Sequence, residues 1–209
     1  DLPFKLGLIY SIAPYLLPLI IPELKKYAPN MPLQVHENIT QNIETELKSG
    51  IIDAAVIALP FDIPGIEIEI LYDEPFVVIV PLSHHWDEQN TIKAKDLAHE
   101  KVLLLDKTHC FSNQVTEACP GLSKNSEIQL GNSLEYIRSM VASGLGISVL
   151  PQSATTVKYN NPLVKKITFE APVPFRRVAL AYRKSGVKTE AVIKLVDVIK
   201  SLDFPKLHI

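Results

Sequence analysis

The sequence predicts an α/β protein with mostly parallel sheets. Two observations carry that reading: apolar, β-branched runs of strand length recur along the chain, and segments of helical period separate several of them. Strands that alternate with helices pack as parallel sheets covered by helices. The 209 residues suffice for one large or two small domains with a real core, and 47% apolar with 21% charged residues is ordinary for a globular chain.

The expected strands are 4–10, 33–36, 53–58, 76–80, 102–105, 147–150 and 178–182. A helix over 41–49 puts Ile43 and Leu47 on one face and ends before Gly50, a natural C-cap. A second, over 132–143, opens on Asn132 as N-cap with Glu135 at N3, the reciprocal capping arrangement. It stops at Gly144 and buries Leu134, Ile137 and Met140 or Val141. The last helix, 189–202, buries Val192, Leu195, Val196 and Ile199. Residues 13–27 also have helical spacing but carry Pro14, Pro18 and Pro22. An interior proline costs about 3 kcal/mol, so this helix is expected to start late or to kink. The polar stretch 83–89 reads as an excursion between two halves of the chain.

A net charge of −2 gives no basic field for nucleic acid, so any DNA contact is expected outside this segment. No apolar run reaches the roughly 18 residues of a membrane span. The chain opens at Asp1 without methionine or export signal, as an excised fragment or mature product would. Its two cysteines make no disulfide framework and point to the cytoplasm, where such a pair is more often redox-active or metal-binding than structural. Cys110 and Cys119 stand nine positions apart. They are either small buried hydrophobes or reactive thiols. His84-His85 with Asp87 is expected to hold no metal, because adjacent histidines rarely converge on one ion and no further ligand spacing accompanies them. Gly144-Leu145-Gly146 is too short for a dinucleotide fingerprint and no G-x-S-x-G elbow occurs, so no cofactor is expected.

Several segments together resemble the effector domain of LysR-type transcriptional regulators. They are Leu6-Gly7-Leu8-Ile9, Tyr15-Leu16-Leu17-Pro18 with Ile21-Pro22, Leu33 to Glu37, and Leu47-Lys48-Ser49-Gly50-Ile51-Ile52-Asp53-Ala54-Ala55-Val56. Ser139 to Pro151 resembles that family's V-A-x-G-x-G-I-x-x-L-P signature, and the likeness runs over essentially the whole chain. Asp106-Lys107-Thr108-His109-Cys110, the second cysteine nine positions on, and Asn132-Ser133-Leu134-Glu135 resemble the peroxide-sensing branch. Arg176 to Arg183 resembles the strand that carries a site arginine there.

The resemblance implies two Rossmann-like subdomains of the type II periplasmic-binding-protein kind, joined by two crossover strands. Residues 1–73 with 178–209 would form the first and 74–177, with the redox loop, the second. It also implies an N-terminal winged helix-turn-helix that this chain lacks. Cys110 is then the peroxidatic thiol, oxidised to a sulfenic acid, and Cys119 the resolving thiol that closes a disulfide. Cys110 follows a buried run at a strand-to-loop edge, and a helix opening there would turn free N–H groups toward the sulfur. With helical intervening residues, nine steps of about 1.5 Å separate the cysteines by roughly 13 Å. A disulfide needs Cα atoms about 4.4–6.8 Å apart, so oxidation would have to rebuild 111–118.

By the same resemblance Thr40 and Ser11 supply hydroxyls to peroxide, with Ser11 standing where serine is less usual than threonine. Arg177 stabilises the thiolate or developing oxyanion, and His109 donates to peroxide or orients the loop. For Thr40 a plain N-cap, for Arg177 an ordinary strand residue, and for His109 a satisfied core histidine are the structural alternatives. The implied partners are hydrogen peroxide, DNA through the missing domain, a second copy in a homodimer, a tetramer at full length, and a thiol reductant for reset. The chain would be no enzyme, because one turnover per signal suffices. Three other classes stay open: a LysR-type domain sensing a small organic ligand, a periplasmic solute-binding protein, and a thiol peroxidase.

Overall fold

The computed structural model describes residues 3–124, 129–185 and 189–203. The chain runs β1 (Phe4–Ile9), α1 (Ala13–Tyr27), β2 (Leu33–Asn38), α2 (Thr40–Ser49), β3 (Ala54–Ala58) and a long β4 (Ile66–Pro81). There follow β5 (Thr91–Ile92), β6 (Val102–Leu105), α3 (Cys110–Ala118), β7 (Gln129–Gly131), α4 (Leu134–Ala142), β8 (Ile147–Pro151), β9 (Val164–Phe169), β10 (Phe175–Arg183) and α5 (Thr189–Ser201). Two compact units result: Asp1–Asp73 with Arg177–Ile209, and Glu74–Arg176. β4 and β10 are the strands that run from one unit into the other.

In the first unit β1 lies between β2 and β3, parallel to both, and β10 adds antiparallel to β3. In the second, β8 pairs antiparallel with β4 and parallel with β6, which pairs parallel with β7. β9 flanks β4 antiparallel and carries β5. Five of these eight pairings are parallel, so the sheets are mostly parallel as expected, with antiparallel joins made by β4 and β10. A strand buried on both faces shows the same apolar run in either direction, so its sense is invisible in the sequence.

α1 is one continuous helix over the prolines and does not start late. Pro14 sits in the first turn, where its missing N–H costs nothing. Pro18 and Pro22 are interior, at about 3 kcal/mol each. Burial of Tyr15, Leu16, Ile20 and Leu24, each contributing about 1.5–3 kcal/mol, offsets that cost.

The capping of α4 is also different. Ser133 is the N-cap, accepting from the N–H of Tyr136 at 3.1 Å, and Glu135 pairs instead with Arg138 at 3.0 Å. Two eligible caps stand side by side, and packing of Leu134 and Ile137 selects between them. The glycines after α4 each have a reason: Gly144 has φ +80°, and a Cβ on Gly146 would meet the Lys101 carbonyl oxygen at 2.6 Å. α5 buries Val198 where Val196 was expected. The stretch 83–89 lies within the second unit, between β4 and β5, and is no link between units.

Candidate functional site

The second unit builds the cysteine site from the end of β6 outward. Asp106 follows the strand, and its carboxylate accepts the N–H of Thr108 at 2.9 Å and the Thr108 hydroxyl. Those two bonds, the hydroxyl first, hold the Asp106 carboxyl below the usual carboxylate range. The backbone N–H of His109 donates to the Asp106 carbonyl at 3.1 Å, closing the turn. His109 is thereby the extended N-cap of α3, and half-buried Cys110 is its first helical residue. The N–H of Ser112 donates back to the His109 carbonyl at 3.1 Å, and Cys110 stands at the helix end where first-turn N–H groups gather.

Cys119 sits at the C-cap of the same helix. It is fully buried, and burial pushes its thiol up to about 12. Nine residues at about 100° each place the two sulfurs on opposite faces as well as at opposite ends. α3 and a Cys110–Cys119 bond exclude one another.

Between the cysteines, Phe111, Ser112, Gln114 and Val115 are buried. The Phe111 ring meets Phe76 edge to face at 5.2 Å, and the guanidinium carbon of Arg176 lies 5.2 Å from the same ring centre. Arg176 donates from Nε to Glu74 Oε2 at 2.8 Å and from Nη2 to the same oxygen at 2.7 Å. Glu74 Oε1 accepts the N–H of Ser153 at 3.0 Å. Gln114 shares a helix face with Cys110, four positions on, and its Oε1 is buried without a hydrogen-bond partner among the described residues.

Ser11, Thr40 and Arg177 belong to the first unit, whereas His109, Cys110 and Cys119 belong to the second. Ser11 is buried in the turn between β1 and α1. Thr40 is not an N-cap. Ile39 holds that position, and the Thr40 hydroxyl is buried in the first turn of α2 with no hydrogen-bond partner among the described residues. Arg177 commits Nε and Nη2 to the two oxygens of Asp73, each at 2.8 Å.

Sequence reasoning missed Arg176 and Gln114. Neighbours on a strand point to opposite faces, so Arg176-Arg177 had to split. Only the fold shows that Arg176 is the one beneath α3. For Gln114 the i, i+4 spacing from Cys110 was available as a signal.

His84 and His85 do converge on a third group: Glu100, whose oxygens lie 3.0 Å from His84 Nε2 and 3.1 Å from His85 Nε2. Asp87, grouped with them on sequence, is not in that cluster. The N–H of Trp86 donates to His84 Nδ1 at 3.2 Å. In the neutral ring the proton is then on Nε2, aimed at Glu100, where a metal would need a lone pair. On the His84 side the cluster is a histidine–carboxylate hydrogen bond.

The LysR substrate binding domain model matches residues 3–203. The chain belongs to the LysR substrate-binding-domain family. This LysR domain is 33% identical over 207 residues to a probable hydrogen peroxide-inducible genes activator of Mycobacterium leprae, covering 98% of the chain and 67% of the relative. It thus spans about two thirds of the length of the curated relatives it matches. It superposes on the reduced OxyR regulatory domain of Pseudomonas aeruginosa with a TM-score of 0.87 and 44% identity, over 95% of the chain and 96% of that structure. For a reduced form of OxyR from N. meningitidis the TM-score is 0.89 and the identity 43%, over 95% and 94%. The α/β architecture is that of the type II periplasmic-binding-protein-like regulatory domain.

Proposed function

We propose that this LysR domain is the hydrogen peroxide-sensing regulatory part of a DNA-binding transcription factor. The observation that carries the reading is the placement of Cys110 and Cys119 at opposite ends of one nine-residue helix. Similarity to peroxide-inducible gene activators supports it. The Cys110 thiolate attacks one peroxide oxygen, the O–O bond breaks, and the second oxygen leaves as hydroxide and takes a proton to become water. Cys110 is then a sulfenic acid. Attack by Cys119 on that sulfur expels a second water and forms the disulfide, so two thiols and one peroxide give one disulfide and two waters.

Burial orders these steps. A thiol at about 12 is thiolate to only about one part in 10⁵ at pH 7, so Cys119 is incompetent until α3 opens. The Ser11 and Thr40 hydroxyls, the His109 ring, the Arg177 guanidinium and the Gln114 amide are the proposed peroxide- and thiolate-supporting groups. A cellular thiol supplies the two electrons for reset. The working protein is a cytoplasmic homodimer that assembles to a tetramer with its DNA-binding domain, and no described helix is long and apolar enough to cross a membrane.

One equivalent of peroxide added to reduced protein tests this, with free thiols and intact mass followed together. The expected result is rapid loss of both thiols in the native chain and a trapped sulfenic acid in Cys119→Ser. Thiols that survive many minutes of exposure overturn the reading.

A further inference from the structure

We infer that Phe111 is the latch through which oxidation of α3 reaches a buried ion pair at the margins of the second unit. Glu74 and Arg176, its first and last residues, have side chains with 0% exposure. A charge pair so placed relies on complete hydrogen bonds to offset its desolvation, and entering water weakens the attraction between the charges and competes for those bonds. Among the described residues Glu74 is met by Nε and Nη2 of Arg176 and by the N–H of Ser153. The open face of the guanidinium is covered by the Phe111 ring. The same ring packs on Phe76, whose N–H donates to the Pro174 carbonyl at 2.8 Å. One aromatic side chain therefore touches both strands, β4 and β10, where they leave the second unit.

Phe111 is bonded to Cys110. The inference rests on the disulfide proposed above, which draws together Cα atoms about 13 Å apart in a helix. Of the two ends, that of Cys110 is the less buried and is held by a single turn, through Asp106. Before it lie exposed Lys107 and Thr108, whereas Cys119 is buried and leads into a short 3-10 turn, Pro120–Lys124, packed on another at Ala94–His99. There a Cβ on Gly121 would stand 2.9 Å from that of Ala98. Movement of Cys110 withdraws Phe111, admits water to Glu74–Arg176, and loosens the Ser153 and Phe76 amides that depend on the pair and on the ring.

Hydrogen exchange measured on reduced and peroxide-oxidised protein tests this, with free thiols counted in the same samples. Oxidation is expected to speed exchange at Phe76 and Ser153 by about tenfold or more. Phe111→Ala is expected to show the fast pattern while still reduced. Glu74→Gln with Arg176→Met, which replaces the ion pair by neutral groups, is expected to form the disulfide with less than about a twofold redox-linked change at Ser153. Loss of both thiols with unchanged exchange at Phe76 and Ser153 overturns the latch and leaves the sensor intact. Faster exchange confined to 94–99 and 120–124 also overturns it, by assigning the movement to Cys119. Thiols that resist peroxide overturn both.

Discussion

The two ends of α3 are chemically opposite. At one end Cys110 is half-buried behind a polar turn tied down by Asp106. At the other Cys119 is wholly buried and holds its proton to about 12. In the proposed sensor the same residue type would meet oxidant at one end and wait at the other, with burial of Cys119 setting the order.

Removing either sulfur breaks this comparison most completely. Cys110→Ser is expected to abolish peroxide-dependent thiol loss, leaving Cys119 intact over hours. Cys119→Ser is expected to leave the first step at the native rate and to accumulate sulfenic acid, read by a dimedone adduct in the intact mass. Equal peroxide reactivity of the two single variants would remove the distinction between the ends.

Alkylation sharpens it without mutation. Iodoacetamide at pH 8 is expected to modify Cys110 at least about 100-fold faster than Cys119 in the folded, reduced protein. Stability carries the same signature. The Cys119 thiol is raised from an ordinary 9.0 to about 12, so the unfolded chain releases that proton first. Its contribution is whole below about pH 9 and is lost as pH rises through about 12, a span of up to about 4 kcal/mol. Urea unfolding of Cys119→Ala is expected to lack that alkaline slope.

A smaller contrast separates the adjacent arginines of β10. Arg176→Ala strands the Glu74 carboxylate in a sealed site and is expected to cost about 3–5 kcal/mol. The Asp73 side chain is only 3% exposed, but that of Arg177 is 40% exposed, so its removal would open that carboxylate to water. Its replacement by Ala is expected to cost roughly 1–2 kcal/mol in urea titrations. Equal costs would mean that the buried and open pairs share one environment.

The arginines also show where sequence reading stops. Buried strands such as β3 and β6 are plain in the sequence because unbroken apolar runs reflect burial on both faces. β9 escapes because Val164-Lys165-Lys166 exposes charge along half its length. The first five residues of β4, Ile66 to Ile70, escape because none of them is fully buried. Cys110 and Cys119 stand out in the sequence by spacing and resemblance, and the structure sets them at the two ends of α3. That Arg176 lies under α3 was not legible there, since strand periodicity separates two neighbours without saying which face the helix covers. Thr40 was read as a residue before a helix, yet the helix starts one residue earlier, and the hydroxyl loses the capping role that spacing had allowed it.

That hydroxyl gives the smallest and most discriminating change. A buried, unpaired Oγ1 costs stability, and Thr40→Val keeps its shape while removing it. The valine variant is expected to be as stable as the native domain or more so by about 1 kcal/mol. If Thr40 meets the oxidant, peroxide consumption by Cys110 is expected to slow by about tenfold, an effect the size of one hydrogen bond. A variant that loses stability while reacting at the native rate would return Thr40 to local structure. A more stable but slower one shows that the fold tolerates an unsatisfied hydroxyl for the sake of a ligand that satisfies it.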